Sequence, residues 1–195
     1  MARRSDHSSE ELHSLMLEST ARIIEEAGVE ALSARKVASE IGYTVGTIYQ
    51  HFSNMDDLVE QTNAETLEEL YDVCSGVPEN LDTHDRLRKL ATSFVSFAHD
   101  NRARWDAVIS YKYAPGHKWS EHYDSKFEKL LALILTATKS LYTDGEDARH
   151  WQDVRTLWSA MYGIFTLASA RRLGTDQTLE TAIEGLIDLY LAARK

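Results

Sequence analysis

Four closely spaced side chains, Thr44, Val45, Thr47 and Gln50, have the types needed to read the edge of a nucleic-acid duplex. Hydroxyls and amides bond phosphates or base edges, and a valine can meet a thymine methyl in the major groove. Other constellations carry less. His117 and Glu121 lie four apart and His122 follows, which could put two metal ligands on one helical face. No further ligand cluster joins them, so the set reads as solvated helix surface and no metal is expected. Cys74 is the single cysteine, which excludes an intramolecular disulfide; it reads as a packing residue. The sequence has no Gly-rich phosphate loop, nucleophile elbow or triad spacing, so it offers no catalytic residue, implies no cofactor and does not read as an enzyme.

The candidate reading residues need a short exposed helix held against a partner. Residues 32–52 (LSARKVASEIGYTVGTIYQHF) supply that grammar: a helix capped by Ser33 and ended near Ile41 by Gly42, then a second helix capped by Thr44 and running to about His51. Val37, Ala38 and Ile41 can pack inward with Ile48, leaving Thr44, Val45, Thr47 and Gln50 facing outwards. A preceding helix spans Ser8 or Ser9 to about Ala27, with Leu12, Leu15, Met16, Ile23 and Ile24 at helical spacing and Gly28 as its stop. A fourth begins after Asn54, where Asp56 and Asp57 suit its first turn, and runs towards Cys74.

Beyond a loop at 75–83 the pattern stays helical. One stripe carries Leu87, Leu90, Phe94 and Phe97, and a shorter one Trp105, Val108 and Ile109. A long helix is expected to carry Trp119, Tyr123, Phe127, Leu130 and Ile134, another to fill 147–173 up to Gly174, and a last one to run from Leu179 to Leu191. No strand-like alternation, internal repeat or low-complexity tract interrupts this all-α reading.

A charge of -10 argues against a protein that coats nucleic acid by general attraction, while leaving room for a local reading face. The N-terminus places Asp6, Glu10 and Glu11 where a secretory signal needs an apolar core, and no apolar run approaches membrane-spanning length, so a cytoplasmic location and no membrane partner are expected.

The motif resembles the TetR family of bacterial one-component repressors. The matching residues are Gly28, Leu32-Ser33, Val37-Ala38, Gly42, Gly46-Thr47-Ile48-Tyr49, His51-Phe52 and Leu58, within roughly residues 10–60. The resemblance implies a three-helix DNA-binding domain (1–53, with an arm at 1–8) followed by a larger helical effector-binding and dimerisation domain (54–195). It also implies that Thr44, Val45, Thr47 and Gln50 read bases or nearby phosphates, that Tyr49 and His51 brace the DNA backbone, and that Ser33 and Arg35 sit at a phosphate edge. Met55 departs from the pattern, since the family commonly has lysine at the start of the fourth helix. Arg3 and Arg4 can compensate as an arm in the minor groove, or serve as a solubilising tail.

For the later helices the resemblance implies a homodimer through the last two, where Ala160, Gly163, Ala168 and Ala170 permit close approach. His99, Trp105, Tyr111, Tyr123, Phe127, Arg155, Trp158, Tyr162 and Phe165 are the candidate ligand residues for a hydrophobic or aromatic effector. The expected partners are double-stranded DNA with a palindromic operator, a small-molecule effector that releases it, and a second copy of the chain. The rival readings are a helical small-molecule-binding or adaptor protein with a degenerate DNA motif, and an all-α enzyme acting in the aromatic cavity.

Overall fold

The computed structural model describes residues 7–174 and 176–194 and contains nine α-helices and no strand among them. They are α1 (Ser9–Ala27), α2 (Ala34–Glu40), α3 (Val45–His51), α4 (Met55–Ser75), α5 (Thr83–Asp100), α6 (Arg102–Ser110), α7 (Glu121–Thr138), α8 (Asp147–Ser169) and α9 (Leu179–Ala192). The chain forms two compact units. The first holds the chain up to Glu68 together with Asp100–Ser125; the second holds Glu69–His99 and the chain from Lys126 onward.

Local chemistry sets the helix ends in the first unit. Ser8 and Glu11 form a reciprocal cap on α1, each side chain accepting from the other's backbone N–H. Ser33 Oγ accepts from Lys36 N–H at 3.3 Å and Thr44 Oγ1 from Thr47 N–H at 3.2 Å, starting α2 and α3 where the sequence places them. Gly42 closes α2 at φ 75°, which lets Tyr43 N–H reach Ala38 O at 2.8 Å. Leu12, Met16, Val37, Ala38, Ile48, Phe52 and Leu58 fuse α1 to α4 into one buried cluster. Its edge includes Met55 and Ile41. Helix α6 packs on α1 and buries Trp105.

The segment between α6 and α7 overturns one expectation, because Trp119 lies in an irregular stretch and α7 begins only at Glu121. Three α4 side chains hold that stretch. Asp56 accepts from Tyr111 OH and Ala114 N–H, both at 2.9 Å; Glu60 accepts from Ser120 N–H at 2.9 Å and pairs with His117; Asn63 donates to Tyr113 OH at 3.1 Å. Ser120 Oγ then caps α7 by accepting from Tyr123 N–H.

In the second unit α8 packs against α9, and Leu87, Phe94, Leu131, Val154, Leu157 and Ile187 are buried. Helix α8 stops at Ser169, short of the expected end at 173. Arg171 takes the left-handed conformation at φ 56° and Arg172 N–H turns back to Leu167 O at 2.7 Å, closing the helix without glycine.

Candidate nucleic-acid interface and cavity

Helix α3 is anchored by one fully buried residue, Ile48, so its other faces are available to solvent. Thr44, Val45, Tyr49 and Gln50 are exposed, while Thr47 and His51 are half-buried. Thr44 and Thr47 hydroxyls lie 2.9 Å apart, which fixes both at the start of the helix. Ser33 is exposed but its hydroxyl is already committed to capping α2; Arg35 and Lys36 project beside it. Arg3 and Arg4 lie outside the described residues.

Gly46 leaves the exposed start of α3 bare between Val45 and Thr47. A Cβ there would meet only Thr44 Oγ1 at 3.6 Å, an ordinary contact, so the fold does not require glycine at this exposed position.

A polar relay sets where α3 gives way to α4. His13 stacks on Phe52 at 4.8 Å and donates from Nε2 to Gln61 Oε1 at 3.0 Å. Gln61 donates in turn to Asp57 Oδ1 at 2.7 Å, and Asp57 Oδ2 accepts from Ser53 N–H and Ser53 OH. Burial raises the Asp57 pKa, but hydrogen bonds from Gln61 and Ser53 outweigh it and hold the carboxyl below its ordinary value. Asn54 Oδ1 caps the same turn by accepting from Asp57 N–H at 2.9 Å. Met55 is spent on packing, at the rim of the buried cluster.

Two family models match the chain: bacterial regulatory proteins of the tetR family over residues 16–62, and the tetracyclin repressor-like C-terminal domain over residues 87–190, more than half the chain. The chain belongs to the tetR family. It is a DNA-binding transcriptional regulator. A nicotine-responsive helix-turn-helix transcriptional repressor of Paenarthrobacter nicotinovorans is 27% identical over 131 residues, covering 63% of this chain and 66% of the relative, just under two thirds of its length. A protein of unknown function from Rhodococcus sp. RHA1 superposes with a TM-score of 0.72 at 19% identity, covering 98% of both chains. A TetR transcriptional regulator from the same organism gives 0.71 at 16% identity, covering 92% of this chain and 94% of the other. At such identities the structures speak for the fold alone.

Within this tetR-family fold the nine candidate ligand residues are divided between the two units. Trp105, Tyr111 and Tyr123 belong to the first unit. There Tyr111, Tyr113, His117, Trp119 and Tyr123 form a chain of ring contacts with centroids 4.4–4.7 Å apart along it. Burial pushes the Tyr111 and Tyr123 phenols up to about 12. In the second unit Trp158 meets Phe94 edge-on at 5.3 Å and Phe127 at 5.7 Å, and Phe94 meets Phe165 at 5.4 Å. His99 and Arg155 are exposed, Arg155 lying over the Trp151 ring, and Tyr162 is half-buried.

The second unit does contain a cavity, of about 40 Å³. Of the nine candidate ligand residues only Trp158 lines it; the rest of the wall is aliphatic apart from Phe94 and Cys74. The wall draws on five helices, and each of its aliphatic residues reads as ordinary core in its own amphipathic stripe. A second hollow of about 250 Å³ lies along α8 and α9, lined by Thr156, Ala160, Leu186, Leu189, Tyr190 and Ala193 among others. No helix among the described residues is long and apolar enough to cross a membrane, and no cluster suited to a metal occurs among them.

Proposed function

We propose that this regulator is a cytoplasmic repressor that binds a palindromic operator as a homodimer and releases it when a small apolar effector binds. The observation that carries the DNA reading is α3 itself. It is capped at Thr44, anchored by Ile48 and presents Val45, Tyr49 and Gln50 outwards as an exposed face. Thr44, Val45, Thr47 and Gln50 contact bases or adjacent phosphates, Tyr49 and His51 brace the backbone, and Ser33 and Arg35 stand at the phosphate edge. The bare side of Gly46 fits close approach of a DNA backbone. Arg3 and Arg4 extend the contact into the minor groove. The functional division is a DNA-binding domain at 1–53 and an effector-binding and dimerisation domain at 54–195.

Pairing uses α8 and α9. Leu189 is 73% exposed on a single chain and Leu167 46%, so each of the two helices offers an apolar group that a second copy can cover. The nicotine response of the Paenarthrobacter repressor supports control by a small molecule. An effector shifts operator affinity by its differential affinity for the bound and released states of the dimer, and by no more.

Selection from a randomised duplex library tests this reading. Enrichment of a palindrome, lost in Thr47→Ala with Tyr49→Ala, is the expected result. Enrichment that survives both substitutions would move the reading face elsewhere, and no enrichment would favour a ligand-binding protein with a degenerate motif, as the acidic charge and Met55 suggest.

A further inference from the structure

We infer that the cavity in the second unit accepts an uncharged ligand with no hydrogen-bonding group to satisfy, a small aromatic or aliphatic hydrocarbon or its halogenated analogue, and rejects amines and carboxylates. This rests on the reading that the cavity is the effector site.

The wall decides the class. Its fifteen residues are all apolar, and the only side-chain hydrogen-bond donors they bring are the Cys74 thiol and the Trp158 indole N–H. Burial pushes the Cys74 thiol up to about 11, so it stays protonated and supplies no anion for a cationic ligand. Arg86 is buried in the same unit, but it is not part of the wall, and its Nη2 lies 3.6 Å from Glu79 Oε1. An ammonium or carboxylate entering here would lose its water and gain no partner, which is the costliest form of burial. An apolar ring loses nothing of that kind and gains contact with Leu90, Phe94, Leu130 and Ile183.

Size narrows the class further. A benzene-sized ring occupies an apolar cavity of roughly 150 Å³, so a space of about 40 Å³ must widen to admit one. Met161 is the side chain suited to give way, being unbranched and adaptable, and Leu133 and Leu186 are only half-buried. Short or single-ring ligands therefore fit with side-chain movement alone.

Toluene, benzylammonium and benzoate share one ring and differ in charge, so they separate the possibilities at neutral pH. The readouts are the melting temperature of the full chain and a titration followed by tryptophan fluorescence. Toluene raises the melting temperature and the charged analogues bind at least about tenfold more weakly, as expected when a charge is buried without a partner. Ala91→Val fills the space and abolishes the toluene effect; Met161→Ala enlarges it and tightens toluene binding even as the protein loses stability. Benzylammonium or benzoate binding as tightly as toluene, and lost in Ala91→Val, would overturn the ligand class while leaving the effector site in place. Toluene binding that persists in a folded Ala91→Val protein would place it outside the cavity and overturn the inference. No binding of any probe, to the parent chain or to Met161→Ala, would remove both the inference and the effector-site reading on which it rests.

Discussion

Leu157 on α8 and Leu186 on α9 stand side by side between two spaces: both line the inner cavity, and both line the outer hollow along the same helices. A side chain displaced from one space has the other to move into. On the proposed reading, in which an effector fills the cavity and a second copy covers the outer face, these two residues link the two events.

That link makes Leu157→Ala informative. Leu157 is buried, so its truncation costs about 2–5 kcal/mol in denaturant unfolding. The same substitution should change both the affinity for an apolar probe and the monomer–dimer constant measured by sedimentation. A variant with altered probe binding and an unchanged dimer constant would show the two spaces to be independent.

Gly46→Ala separates folding from DNA recognition. The added Cβ meets Thr44 Oγ1 at an ordinary 3.6 Å, and replacing glycine inside a helix gains up to about 1 kcal/mol. The variant should melt at or above the temperature of the parent chain and yet bind the selected operator at least several-fold more weakly. Unchanged operator affinity would mean that DNA does not approach this side of α3.

The parts of this fold written in local chemistry were legible before any coordinates. Ser33, Thr44, Gly28 and Gly42 mark helix ends because capping and a left-handed turn depend on residues three or four positions away. The irregular stretch containing Trp119 was not legible, because Asp56, Glu60 and Asn63 that hold it lie some fifty residues earlier and leave no periodic trace. Arg171 hid the end of α8 for a related reason: non-glycine residues seldom take φ 56°, so the sequence pointed onward to Gly174. The cavity, walled mainly by leucine and isoleucine, leaves no mark in the sequence that separates it from ordinary core.

Acid should weaken the second unit through His150. This residue is buried, stacks on Tyr142 at 3.8 Å and donates from Nε2 to Thr138 Oγ1 at 2.7 Å, since the Thr138 hydroxyl already donates to Ile134 O. Burial lowers its pKa, nearby Asp147 opposes that, and Arg194 adds to it. The unfolded chain therefore binds a proton below about pH 6.5 that the folded chain resists, and stability falls as pH drops from that point. Melting temperatures from pH 7.5 to 5 should decline less steeply for His150→Gln than for the parent chain. Parallel curves would assign the acid sensitivity to other groups.

Met55→Lys tests whether the start of α4 lies against DNA. The resemblance to the family implies a lysine at this position, while here the methionine packs at the rim of the buried cluster. A lysine can lay its stem along the same apolar rim and put its ammonium into water, so the fold should tolerate the change. If a phosphate lies within reach, one more counterion is released on binding, and the plot of log affinity against log salt steepens by about 0.9. Operator affinity at low salt should rise several-fold, with non-specific duplexes gaining in the same proportion, because a phosphate contact carries no sequence information. A slope equal to that of the parent chain would place the start of α4 away from the DNA backbone, and recognition would then rest on α3 and the arm.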